Sequence, residues 1–189
     1  MSRPQDQATR EGFSYLQCGE IRDAELKFRA AIAASAANGH ALNGLAIIAH
    51  QTGQYRAAIE LFDRAIVADA ALMAAYMNRG NSLFEFQRFN DAVQSHRHAL
   101  TLSADLMSAR INLSSALQAS GRPDEAALEL ERAREAQADS PEIDNNLGNL
   151  YKEQGRLQNA ITCYSHALRL NPMSPQAASN RLAALRLSR

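Results

Sequence analysis

The sequence predicts an all-α fold, a solenoid of five helix-turn-helix repeats closed by a capping helix, and three observations predict it. Alanine recurs at a fixed step of 34 residues, in one series at Ala24, Ala58, Ala92, Ala126 and Ala160 and in a second at Ala31, Ala65, Ala99, Ala133 and Ala167. Two further columns keep the same register: Phe28, Phe62, His96, Leu130 and Tyr164 between the alanines, and Gly19, Gly53, Gln87, Gly121 and Gly155 before them. Within each period the apolar residues fall at i, i+3, i+4 and i+7, the spacing of one helix face. A period of this length marks stacked repeats, none of which can bury its apolar face alone.

The pattern resembles the tetratricopeptide repeat (TPR) family, whose unit of 34 residues is a helix, a tight turn and a second helix. Leu147, Gly148, Tyr151, Gly155, Ala160, Tyr164, Ala167 and Pro172 fit the family's columns one by one. The resemblance implies a right-handed superhelix and sets the frame. Repeats fall at 5–38, 39–72, 73–106, 107–140 and 141–174, and 175–189 forms a C-terminal capping helix.

Taken in order, the first repeat carries Glu11 where leucine is usual, as befits a terminal helix with no neighbour on its outer side. The second is regular: Leu42, Leu45, Ala46 and Ala49 stripe its first helix, and Ala58, Phe62 and Ala65 its second. The third replaces a leucine with Arg79, the turn glycine with Gln87 and the seam aromatic with His96, which predicts the loosest seam. In the fourth, Pro123 sits at a first helical turn, where a missing N–H costs little. Its charges, Asp124, Glu125, Glu129, Glu131, Glu135 and Asp139 among Arg132 and Arg134, read as a solvated outer face. The proline that ends the fifth repeat is Ala36, Ala70, Ala104 and Ala138 in the others, so successive helices are expected to run on as stems. In the capping helix Ala178, Leu182 and Leu185 are expected inside, with Arg181, Arg186 and Arg189 in water.

Bulk composition narrows the function. Of 189 residues 46% are apolar, and 20 basic residues balance 20 acidic ones, so no cationic excess draws the chain to nucleic acid. The polar N-terminus has no secretory apolar core and no apolar run is long enough to insert in a membrane, so the chain reads as cytoplasmic. Lys27 and Lys152 are the only lysines among abundant arginine and alanine, a bias that points to a GC-rich bacterial gene. Cys18 and Cys163 form no disulfide framework and read as helix filler. His96 and His98 point to opposite sides of a helix, His40 and His50 lie nearly three turns apart, and His166 has no partner, so no metal site is expected. No phosphate loop, nucleophile elbow or zinc motif appears, and the chain reads as no enzyme, without cofactor. The Asn-Leu-Ser sequon at Asn112 falls inside a packed helix and is discounted.

A column of amides carries the functional expectation. In TPR proteins the first helix of each repeat lines the concave side, and Asn78, Asn112, Asn146 and Asn180 hold one position there at the same step of 34. Asn81 and Asn149 lie one turn on, and Asn145 lies on the flank. A carboxamide both donates and accepts, so it pairs with a peptide group whatever side chain that group carries. Neighbouring helices about 10 Å apart against an extended chain rising about 3.3 Å per residue place one amide at roughly every third residue of a guest. His50, Met77, Phe84, Ile111, Gln118 and Lys152 on the same surface would supply selectivity.

The column resembles the asparagine ladder of the O-linked N-acetylglucosamine transferases, which grips substrate backbone. The two-carboxylate clamp of TPR co-chaperones needs Lys and Arg at places held here by Met77, Glu142 and Asn146, or by Thr9, Ala74 and Asn78, and is rejected. The expectation is thus an interaction module that binds an extended peptide or a disordered protein segment. Two alternatives stand beside it. One is the recognition arm of a larger enzyme such as a glycosyltransferase; the other is a scaffold that self-associates, like the TPR protein that coats bacterial magnetosomes.

Overall fold

The computed structural model describes residues 4–188, and every regular element in them is a helix. α1 spans Pro4–Gln17, α2 Ile21–Ala34, α3 Gly39–Gln51, α4 Tyr55–Ala68, α5 Met73–Glu85 and α6 Phe89–Leu102. α7 follows at Met107–Ala119, α8 at Pro123–Ala136, α9 at Pro141–Glu153, α10 at Leu157–Leu170 and α11 at Pro175–Leu187. α1–α6 form one compact unit and α7–α11 a second, divided after Ala104. Exposure of Arg189 lies outside the described residues.

Each hairpin turns on one left-handed residue. After α3 the Gln54 N–H reaches back to the Ala49 carbonyl at 2.8 Å and the Gly53 N–H to that of His50 at 3.0 Å, so two orphan carbonyls of the helix end are satisfied. That loop requires a positive φ at the second position, 75° at Gly53. The third hairpin closes the same bonds with Gln87, which is held at φ 60° despite its side chain.

The alanine columns are wholly inside, and the residue between them fills the seam of each hairpin. Opposite it the first helix keeps a small residue, in the column Gly12, Ala46, Gly80, Ser114 and Gly148. The fit is tight: a Cβ on Gly148 would stand 2.5 Å from the Tyr164 ring, and one on Gly80 2.5 Å from His96.

The third seam, expected to be the loosest, has no gap. His96 is 1% exposed. Arg79, standing in for leucine, spans the hairpin instead, its Nε donating to Asp63 of α4 at 2.6 Å and its Nη1 to Ser95 of α6 at 2.6 Å. Burial without a charge partner pushes the His96 imidazole down to about 4, and its Nδ1 has no hydrogen-bond partner.

Three expectations need correction. Helices do not run on where proline is missing: Ser35, Asp69, Ser103 and Gln137 cap α2, α4, α6 and α8, with ψ between 83° and 103° turning the chain out of the helix. Asp69 reinforces its turn by accepting the Ala71 N–H at 3.0 Å. The face of α11 is displaced by one residue: Ala177 and Ala184 are buried, Ala178 is exposed, Leu185 is half-buried, and Leu182 is 50% exposed. The acidic face of α8 is solvated only in part, because Glu129 turns in to pair with Arg110 of α7 at 2.9 Å and with Arg132 at 2.7 Å, and Glu131 accepts the Tyr151 hydroxyl of α9. Glu11 at the first helix is tied to Lys27 of α2 at 2.5 Å.

Candidate functional site

In the second unit, helices α7, α9 and α11 wall a polar groove of about 350 Å³ with Leu130 of α8 at its base. α7 contributes Ile111, Ser114, Ser115 and Gln118, α9 contributes Asn146, Asn149, Lys152 and Glu153, and α11 contributes Gln176 and Asn180. Helical spacing explains the grouping: Asn146, Asn149 and Lys152 lie at i, i+3 and i+6, on neighbouring parts of one face. Two serines are already committed, Ser114 to the Ala126 carbonyl at 3.0 Å and Ser115 to that of Ile111 at 3.3 Å.

The amides interlock in one direction. Asn180 Nδ2 donates to Asn149 Oδ1 at 3.0 Å and to Asn145 Oδ1 at 3.2 Å, and the Tyr164 hydroxyl donates to Asn149 Oδ1 at 2.8 Å. With that oxygen used twice, Asn149 keeps its NH₂ donors for a guest. Asn146 makes no side-chain hydrogen bond among the described residues, although it lines the groove. Gln118 Nε2 donates to Glu153 Oε2 across the groove from α7 to α9. Asn112 is half-buried, has a partner of its own and does not line the cavity.

The expected residues of the first unit are placed differently. His50 on α3 shares a hydrogen bond with Ser82 of α5, Nδ1 to Oγ at 2.9 Å, and Ser82 passes its own proton to the Asn78 carbonyl at 3.0 Å. The Ser82 hydroxyl therefore accepts from His50, which fixes the imidazole proton on Nδ1. His50 packs edge-on against Tyr55 at 5.4 Å and Phe84 against Phe89 at 5.3 Å. Met77, Asn78 and Asn81 are half-buried on α5, and Asn81 is partnered. Cavities of about 500 and 450 Å³ in this unit are lined by other residues, around Tyr55 and Phe86 and around Leu42 and Val67.

Sequence reasoning missed Ser114, Ser115, Leu130, Glu153 and Gln176 in the groove; the 34-residue columns of the last two, Gln17, Gln51, Glu85 and Ala119 before Glu153 and His40, Ala74, Ser108 and Glu142 before Gln176, were polar enough to have pointed to them. It also left His166 without a partner. His166 Nδ1 meets the carboxylate of Asp144, which is 1% exposed, and Arg134 stands 3.9 Å from the other oxygen. Burial pushes the neighbouring Cys163 thiol up. No three His, Cys, Asp or Glu side chains among the described residues are grouped to hold a metal ion, and no described helix is long and apolar enough to cross a membrane.

Family models described as tetratricopeptide repeat match residues 9–72, 52–106, 83–145 and 145–174. Among solved structures, the fold is similar to the pilF product of Pseudomonas aeruginosa, with a TM-score of 0.82 and 19% identity over 98% of this chain and 84% of that one. YrrB, described as a TPR protein with an unusual peptide-binding site, superposes at 0.81 with 17% identity over 93% and 90% of the two chains. MamA does so at 0.79 with 20% identity over 85% and 94%. Likeness at these identities is one of fold. No curated protein sequence matches closely enough to be a relative.

Proposed function

The chain belongs to the tetratricopeptide repeat family, and on that premise we propose that it is a non-catalytic adaptor whose second unit binds an extended peptide or a disordered protein segment in the groove of α7, α9 and α11. One observation carries the reading: Asn146 lines that groove, half-buried, and its amide makes no hydrogen bond to another described residue. A buried or half-buried amide without partners is a cost unless a ligand or water repays it. The neighbouring amides do not use it, since Asn180 donates to Asn145 and Asn149 instead.

Peptide backbone is the natural complement, because it alternates carbonyl and N–H along one edge at the reach of a carboxamide. Asn78 and Asn81 hold the same register within the first unit. A groove that reads main chain is open to many sequences, so the partner class is protein, with nucleic acid and membrane outside its chemistry. The YrrB structure, described as having a peptide-binding site, lends support by analogy.

The test is Asn146→Ala. A displayed library of random peptides is selected on the wild-type chain, and one binder is titrated against both forms by fluorescence anisotropy. Loss of two hydrogen bonds should weaken binding by about 1–2 kcal/mol, roughly five- to thirtyfold, with the melting temperature unchanged. Unaltered affinity, or an affinity loss that tracks a loss of fold, would refute the reading.

A further inference from the structure

Of the two lysines in the chain, one is consumed by the fold and one is not. Lys27 is paired with Glu11. Lys152 is half-buried and lines the groove, and its ammonium has neither ion pair nor hydrogen bond among the described residues. The amide one turn before it has spent its oxygen rather than its nitrogen: Asn149 Oδ1 is taken by Tyr164 and Asn180, whereas Asn180 and Gln118 commit a nitrogen each. Glu153 is the one carboxylate of the lining, and Gln118 holds its Oε2 toward α7. Along α9 a guest thus meets the Lys152 ammonium next to the NH₂ groups of Asn149 and Asn146, a set of donors whose complement is an anion rich in lone pairs.

We propose that the groove reads an acidic residue of the guest, an internal aspartate or glutamate whose side-chain carboxylate sits between Lys152 Nζ and the amide nitrogens of Asn149 and Asn146. This rests on the peptide-binding reading and adds a side-chain preference that amides alone do not confer. Lys152 follows Asn149 by three residues on the same helix face, so a chain held by the asparagines presents a side chain to it without leaving the groove. Half-burial strengthens the attraction over that of a free surface lysine, and salt still weakens it.

The test uses random twelve-residue peptides displayed for selection on the full chain as wild type, Lys152→Gln and Lys152→Glu. Wild type should enrich Asp or Glu at one position, Lys152→Gln should lose that enrichment, and Lys152→Glu should replace it with Lys or Arg. The best wild-type peptide, resynthesised with glutamine for its acidic residue, should bind wild type about tenfold more weakly and bind Lys152→Gln no worse than the parent peptide does. Raising sodium chloride from 50 to 500 mM should shrink the difference. The peptide-side change is independent of how any variant folds. Selected peptides with no acidic preference, or a preference that Lys152→Gln leaves intact, would overturn the proposal while the peptide-binding reading stands; failure of wild type to select any peptide would sink both.

Discussion

Acid should open the third hairpin before its neighbours, and His96 is the reason. The ring lies in the seam of α5 and α6, 1% exposed, against the space left by Gly80, and titrates at about 4 there. In the unfolded chain a histidine titrates near 6.5, so between those values the unfolded form binds a proton that the folded form refuses. The stability at stake is complete above about pH 6.5, falls with pH, and levels off below about pH 4. A gap from 6.5 to about 4 is worth about 3 kcal/mol in full and about 2 kcal/mol at pH 5.

Hydrogen exchange followed by mass spectrometry is the assay, with α5 and α6 compared against α3 and α4 at pH 7.5 and pH 5 after correction for intrinsic exchange. His96→Phe is the control: it restores the seam residue of the second hairpin, Phe62, and removes the unpartnered Nδ1. The variant should gain about 1–2 kcal/mol at neutral pH and lose the acid sensitivity of α5 and α6. Wild type and variant losing protection in parallel between pH 7.5 and pH 5 would refute the argument.

Two further outcomes test the turns and seams. Gln87→Gly should raise the stability of the third hairpin by about 0.5–1 kcal/mol, because φ 60° strains every residue but glycine; a lower melting temperature would contradict this. Gly148→Ala should cost about 1–3 kcal/mol in chemical denaturation, since its Cβ would stand 2.5 Å from the Tyr164 ring, and a neutral result would show that the ring moves aside.

Hairpin positions were legible because an alanine seam leaves a mark at every period, and Ala24 or Ala160 is as buried as its register implies. The ends of α2, α4, α6 and α8 were not, because a cap in extended geometry such as Ser35 or Asp69 needs no proline to stop a helix. For α11, local spacing pointed to Ala178 and Leu182, whereas stepping 34 residues on from Ile143 and Leu150 leads to Ala177 and Ala184, the buried pair. Register was the better guide where composition is uniformly small and apolar. In the groove, Gln118, Asn146, Asn149, Lys152 and Asn180 were readable from the same step. The Asp144 and His166 pair and the link from His50 to Ser82 were not, since two polar residues that satisfy each other across helices leave no periodic trace.

Leu182 is the one bulky member of the column that begins at Gly12 and runs through Gly148. Any helix laid beside α11 as α10 lies beside α9 would have to drop its ring onto an isobutyl group instead of into a hollow. A single side chain thus limits which helices α11 can take as a neighbour on that face. Anyone splicing extra modules onto this end would have to trim it first, to glycine or alanine, before the next ring could dock.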